Sequence, residues 1–155
     1  MNYMVQILAA FVATYFAGIL FRSSKSELLL PALLGAGGWA VFLLTGHFGL
    51  SVFSATFMAS LFVSASSVLL SRVRKKPVTA FQIIAIFPIV PGAGMYNILY
   101  SAVISDYTNA ITYFFSTMQT AAAIALGILI VNALNPTSIA LRLDRLQHKD
   151  IYPKQ

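Results

Sequence analysis

The feature that most constrains the fold of this chain is a series of five long apolar stretches separated by short polar or basic segments. Four of them, at about 4–21, 28–46, 50–71 and 118–134, have close to the ~20 residues that a helix needs to cross a bilayer. The other stretch, at about 78–104, is longer. Because 59% of all residues are hydrophobic and only 9% are charged, the sequence predicts an all-α integral membrane protein with five transmembrane helices in a single domain.

The fourth stretch contains a Pro-x-x-Pro-Gly motif, formed by Pro88, Pro91 and Gly92 and followed by Gly94. Proline removes an amide donor and clashes with the preceding helical turn, and glycine lowers helix stability. The motif therefore predicts a helix that is broken near the bilayer centre. Backbone groups released there must face protein or water, as they do at substrate sites of transporters. The alternative interpretation is a kink that only lets helices pack.

The positive charges predict the orientation of the chain. Lysine and arginine follow the first, third and fifth stretches: Arg22 and Lys25; Arg72, Arg74, Lys75 and Lys76; Arg142, Arg145, Lys149 and Lys154. In a five-span chain all of them lie on one side, so the positive-inside rule predicts an external N-terminus and a cytoplasmic C-terminus with a basic tail at 137–155. A re-entrant hairpin in place of the fourth span would move this tail outward and is therefore disfavoured. The same charges suit anionic lipids at the cell membrane, and we expect no nucleic-acid partner.

A candidate substrate site lies at the predicted break. The amides at the start of the second half-helix form the positive end of a helix dipole, which suits a carboxylate. Tyr96 and Tyr100 share one helix face at a spacing of four residues, and Asn97 offers hydrogen-bond donors and an acceptor. The candidate substrate-binding residues are Pro88, Pro91, Gly92, Gly94, Tyr96, Asn97 and Tyr100.

Small residues recur at a spacing of four in several stretches, and they predict close helix packing. The rows are Ala9, Ala13 and Ala17; Ala10, Thr14 and Gly18; Ser60 and Ser64; Ala121 and Ala125; Ala123 and Gly127. Between the fourth and fifth stretches, the apolar positions of 104–118 follow helical spacing and predict a separate helix along the outer surface. The tail at 137–155 is expected either to lie on the inner leaflet or to be solvated.

The sequence offers no catalytic or cofactor-binding arrangement. Acidic and basic residues are absent from all five stretches, and His47 and His148 lie at or beyond their ends. Serines inside the stretches therefore have no base at comparable depth, and the chain has no cysteine for thiol chemistry or metal binding. We expect no enzyme activity, no cofactor and no self-contained proton relay, so coupling would have to come from a partner subunit or a water chain.

The run from Phe87 to Gly92 followed by Tyr96, preceded by 56–60 and the basic loop at 72–76, resembles the threonine/serine exporter family. More specifically, it resembles the small subunit of the split, two-component exporters. The resemblance implies a secondary exporter of the cytoplasmic membrane that moves threonine- or serine-like amino acids, or dicarboxylates such as succinate. It also implies a larger multispanning partner with a soluble cytoplasmic portion.

The functional residues that the resemblance implies are limited to Pro88, Pro91, Gly92 and Tyr96. Two other functions remain open at this stage. The chain could be a structural or assembly subunit without substrate contacts, or a channel formed by several copies of the chain.

Overall fold

The computed structural model describes residues 2–24 and 27–135. Within these ranges the chain forms six α-helices and one 3-10 turn: α1 Tyr3–Leu20, α2 Leu29–His47, α3 Val52–Arg74, α4 Val78–Ala85, the 3-10 turn Phe87–Ile89, α5 Gly92–Val103 and α6 Tyr107–Leu134. The described part contains no strand, so the predicted all-helical class is confirmed there. The basic tail predicted at 137–155 lies outside the described residues.

Four helices of the described part, α1, α2, α3 and α6, are long and apolar enough to cross a membrane. The segments Val78–Ile89 and Gly92–Val103 meet the same criterion together, and they are bent by 52° relative to each other. The first three predicted stretches agree with α1, α2 and α3 to within three residues at each end. The predicted break is confirmed, since no continuous helix runs through the Pro-x-x-Pro-Gly motif.

The last predicted span, at 118–134, lies within a longer helix. α6 begins at Tyr107, so most of the segment predicted to lie along the outer surface, at 104–118, is continuous with that span. Asp106 caps α6, because its carboxylate accepts hydrogen bonds from the backbone amide and the side-chain amide of Asn109, at 3.2 and 2.6 Å. This cap starts one uninterrupted helix, which extends well beyond the apolar stretch.

α4 packs against α1, α2 and α3 through one buried face, and Gly35 of α2 leaves room for its backbone. A Cβ atom added at Gly35 would lie 3.1 Å from the carbonyl oxygen of Ala85. The centre of the core consists of Ala59 and Val63 from α3, Ala85 from α4, and Ile89 from the 3-10 turn. Small residues therefore let the backbones approach closely around α4, as is typical of membrane helices.

α6 packs along α3 and runs in the same direction. The Ser60 hydroxyl contacts the Ala123 carbonyl at 3.3 Å, and the Arg72 guanidinium donates to the Asn135 side chain at 2.7 Å. In both pairs the residue of α6 lies 63 positions after the residue of α3, so the two helices are parallel. Gly127 also lies against Ser60.

The predicted rows of small residues are confirmed in part. Ala123 and Gly127 are buried on α6, and Ser60 and Ser64 on α3, whereas Ala121 and Ala125 are not buried. On α1 the row of Ala10, Thr14 and Gly18 is buried, together with Ala17, whereas Ala9 and Ala13 are exposed. Each of these helices therefore packs through one face, and only the rows of small residues on that face contact a neighbouring helix.

An ion-pair cluster lies at the end of the bundle that carries Arg72. Glu27, which precedes α2 and is only 9% exposed, pairs with Arg74 at 3.8 Å and with Lys76 at 3.3 Å. Lys75 adopts the left-handed conformation, with φ of 51°, and so ends α3. The cluster thus joins the segment before α2 to the connection between α3 and α4.

Candidate functional site: a groove at the broken helix

The break is built from two short hydrogen-bonded turns. The 3-10 turn holds Pro88 at its second position, and the Val90 amide then donates to the Phe87 carbonyl at 3.3 Å. The Gly92 amide donates back to the Val90 carbonyl at 2.8 Å, and α5 begins directly afterwards. Pro91 precedes α5 and brings no amide hydrogen. The two prolines therefore release the helix at this point, and the chain changes direction.

The start of α5 presents unpaired amides. The first helical bond at this end joins the Met95 amide to the Pro91 carbonyl at 3.1 Å. The amides of Ala93 and Gly94 fall in the first turn, where no carbonyl within the helix can reach them. No side chain of the described residues caps this end. The start of α5 therefore carries a positive partial charge that is available to an anion.

The end of the preceding segment carries the opposite polarity. The carbonyls of a final helical turn have no intrahelical donor, and they form the negative end of the dipole. Here the carbonyls of Ile86, Phe87 and Val90 accept from backbone amides, whereas those of Pro88 and Ile89 have no backbone donor among the described residues, and Pro91 has no amide hydrogen to offer. The break thus sets a negative and a positive helix end a few residues apart.

Both ends border a groove of about 1130 Å³. It is formed by α2, α3, the break and α6, and it is lined by Trp39, Phe42, Ser51, Val52, Phe53, Thr56, Pro88, Ile89, Val90, Pro91, Gly92, Ala93, Gly94, Ser116, Thr117, Gln119 and Thr120. No acidic, basic or histidine side chain belongs to this described lining. Its electrostatic character therefore comes from the helix ends and from neutral polar side chains.

Three polar atoms of the lining are buried without a hydrogen-bond partner in the described part of the chain. They are Nε1 of Trp39 and the hydroxyl oxygens of Thr56 and Thr117. The residues Thr56 and Thr117 are only 1% and 6% exposed. Since buried polar groups are nearly always paired, these atoms mark unsatisfied hydrogen-bonding capacity in the wall of the groove.

α5 is held against α6 by a close contact at one edge of the groove. A Cβ atom added at Gly94 would collide with the Thr117 hydroxyl, whereas one added at Gly92 would meet nothing within 4 Å. The two glycines of the motif region therefore differ in what they do. Gly94 allows α5 to approach α6, and Gly92 leaves the first turn of α5 open.

The structure brings together four of the seven predicted site residues. Pro88, Pro91, Gly92 and Gly94 line the groove. The other three lie further along α5 and are not part of the lining. Tyr96 and Tyr100 are 65% and 54% exposed and stack on each other with ring centroids 6.0 Å apart, and Asn97 is half-buried. A role in substrate binding stays a prediction for all seven.

Sequence reasoning missed the part of the groove that α2, α3 and α6 contribute. Trp39, Thr56 and Thr117 were not among the predicted site residues, although they supply its unpaired polar atoms. The run from Ser116 to Thr120 contained a usable signal, because four of its five residues are polar within an apolar helix. In the described residues no three His, Asp or Glu side chains come together in a way that could hold a metal ion.

The chain matches a known protein family over most of its length. The sequence model of a family described as "Threonine/Serine exporter, ThrE" matches residues 6–134, which include the whole groove. No curated protein and no solved structure matches the chain.

Proposed function

Because the chain belongs to the threonine/serine exporter family, we propose that it is the small subunit of a secondary exporter in the cytoplasmic membrane. The observation that carries this proposal is the groove at the broken helix, which combines a free helix start with unpaired polar atoms. In this proposal the substrate carboxylate accepts hydrogen bonds from the amides of Ala93 and Gly94.

The two helix ends favour an amino acid over a dicarboxylate as the substrate. An α-amino acid carries its carboxylate and its ammonium group on the same carbon, so it can meet the positive start of α5 and the negative carbonyl end before it. The second carboxylate of succinate would find no basic side chain among the described residues of the groove. The unpaired hydroxyls of Thr56 and Thr117 would pair with the hydroxyl of threonine or serine.

The direction of the helices supports five spans with the orientation that the charges predict. α3 and α6 run in the same direction, so the chain between them must return across the full thickness of the bundle. We infer that α4 and α5 together make this crossing as one broken span. By the positive-inside rule, the end with Arg72 and Arg74 then faces the cytoplasm and the groove lies toward the outside.

The proposal requires a partner that supplies the coupling. A proton-coupled carrier needs titratable groups at membrane depth, and the described lining of the groove contains none. We therefore propose a larger multispanning partner, as the resemblance to split exporters implies. Affinity purification of the tagged chain from its native membrane tests this, and we expect a larger multispanning protein to come with it. A chain that purifies alone and exports threonine after reconstitution would contradict a required partner.

Export measurements test the role of the break. Cells loaded with labelled threonine are compared after substitution of Pro91→Ala together with Gly92→Ala, and after Gly46→Ala as the matched control. An added Cβ meets nothing within 4 Å at Gly92 or at Gly46, so steric damage is not expected at either glycine. We expect the double variant to lose export at an unchanged amount of protein in the membrane, and the control to keep it. Unchanged export by the double variant would contradict the mechanism.

A structural subunit without substrate contacts is the rival function. It is favoured by one observation, since the exposed pair of Tyr96 and Tyr100 is suited to contact another protein. Photo-crosslinking with a threonine analogue in the assembled complex separates the two functions. Attachment at the groove supports the exporter subunit, whereas attachment to the partner only supports the structural role.

A further inference from the structure

The buried face of α3 carries a row of five hydroxyl side chains that runs from the groove to the basic end of the bundle. The row consists of Thr56, Ser60, Ser64, Ser67 and Ser71, and each residue is at most 7% exposed. Spacings of three and four residues keep the row on one helix face. Its ends are 15 residues apart, which corresponds to ~22 Å along the helix axis. Thr56 lines the groove, and Ser71 directly precedes Arg72.

The row is more polar than packing alone requires. The hydroxyls of Thr56 and Ser67 have no hydrogen-bond partner in the described residues, although both residues are at most 1% exposed. Ala55 and Ala59 are buried just as completely on the same helix, so alanine satisfies the packing there. Unpaired hydroxyls at this depth cost free energy, and they are explained if water or a polar solute reaches them in another state.

Two helices that are linked to the break cover the row. α4 covers it through Gln82, whose side-chain amide donates to the Ser64 hydroxyl at 2.9 Å. α6 covers it at Ser60, where the Ala123 carbonyl is 3.3 Å from the hydroxyl and Gly127 leaves no space for a Cβ atom. α4 leads directly into the break, and α6 follows α5. A change of angle at the break would therefore shift at least one of the covering helices.

Building on the proposed function, we propose that this hydroxyl row is the wall of the passage between the cytoplasmic end and the groove, and that the structure shows the passage closed. A hydroxyl can donate to a carboxylate and accept from an ammonium group. The row therefore suits a small zwitterionic solute, and its uncharged surface would not hold such a solute tightly. The substrate would pass Ser71 first and Thr56 last on its way out.

Cysteine labelling tests this passage, because the natural chain contains no cysteine. Ser67→Cys places a nearly isosteric thiol in the row. Ala65→Cys places a matched thiol two residues away on the outer face of the same helix, which in the proposed arrangement faces lipid rather than water. Inside-out vesicles from cells that express the tagged chain with its natural partners are treated with a charged methanethiosulfonate reagent. The labelled fraction of the purified chain is then measured with and without threonine.

We expect Ser67→Cys to be labelled about tenfold faster than Ala65→Cys, because only a thiol that water reaches ionises and reacts. We also expect threonine to slow the labelling. Ser60→Cys provides a second position if Ser67→Cys does not accumulate. The proposed passage would be overturned if neither row position were labelled faster than Ala65→Cys. It would also be overturned if threonine did not slow the labelling. Threonine export is measured separately on the same cells. If the row is not labelled while export is normal, the proposed passage is wrong but the proposed function is not contradicted.

Discussion

The two helical segments on either side of the break, Val78–Ile89 and Gly92–Val103, have the same length and are both apolar, yet they are held in different ways. α4 and the 3-10 turn pack against three helices through one face, on which Phe81, Ala85 and Ile89 are at most 5% exposed. Of the twelve residues of α5 only Ser101 is buried, and α5 packs mainly on α6. The difference shows that the break separates an anchored half from a half that is supported on one side. A groove forms where the second segment bends away from the first by 52°.

Each segment packs closely on a neighbouring helix at a glycine. Gly35 of α2 admits the backbone of α4 at Ala85, and Gly94 of α5 admits Thr117 of α6. At both glycines the nearest atoms belong to a threonine side chain, Thr14 of α1 at Gly35 and Thr117 of α6 at Gly94, but at Gly35 the backbone carbonyl of Ala85 also lies 3.1 Å from an added Cβ atom. Because a backbone carbonyl can shift less than a side chain, the substitution at Gly35 should be the more severe.

The largest effect is expected at the anchored half. Gly35→Ala would collide with the Thr14 hydroxyl and approach the Ala85 carbonyl, so we expect it to destabilise the protein by about 1–3 kcal/mol, as overpacking does. Thermal unfolding of the purified protein in detergent measures this. Gly46→Ala on the same helix meets nothing within 4 Å and should leave the stability unchanged. Equal stability of the two variants would contradict the close packing of α1 and α4 around Gly35.

A smaller effect is expected at the supported half. Gly94→Ala would displace Thr117 and alter the angle of α5, so we expect about 1 kcal/mol of destabilisation, with export falling by more than that loss explains. Thr117→Ala removes the colliding hydroxyl and leaves contacts of 3.4 Å or more at that site. The combined variant should therefore regain the stability that Gly94→Ala loses. Thermal unfolding of the unchanged protein, the two single variants and the combined variant measures this. A combined variant that is no more stable than Gly94→Ala would contradict the contact between Gly94 and Thr117.

The smallest effect is expected on the exposed face of α5. Tyr96→Leu and Tyr100→Leu keep an apolar side chain outside the groove, and surface changes of this kind usually shift stability by less than about 0.5 kcal/mol. Export of labelled threonine should stay close to that of the unchanged protein. A strong loss of export in either variant would place these tyrosines back in the substrate site and would weaken the contrast between the two halves.

The sequence was most informative where local chemistry decides the structure. α1, α2 and α3 were predictable because a helix is the only way for ~20 apolar residues to cross a bilayer as one segment. The break was predictable because Pro88 and Pro91 cannot donate hydrogen bonds, whatever surrounds them. The continuity of 107–118 with the last predicted span was missed although Asp106 is an ordinary helix cap, because the prediction of that span followed the apolar stretch rather than the cap.

The groove could be predicted only in part, because most of it arises from contacts distant in the sequence. Thr56 and Thr117 are separated by 61 residues, and they reach the same groove only because α6 packs along α3. No spacing rule connects such positions. The prediction therefore found the side of the groove that lies within the motif, from Pro88 to Gly94, and it extended the site along α5 to Tyr100, outside the groove.

The most direct test of the account is a structure of the assembled exporter with bound threonine. The account predicts that the carboxylate of threonine lies within about 2.7–3.2 Å of the amide nitrogens of Ala93 and Gly94, with its hydroxyl near Thr56 or Thr117. Threonine bound elsewhere, with water alone at the start of α5, would contradict the claim that the broken helix holds the substrate.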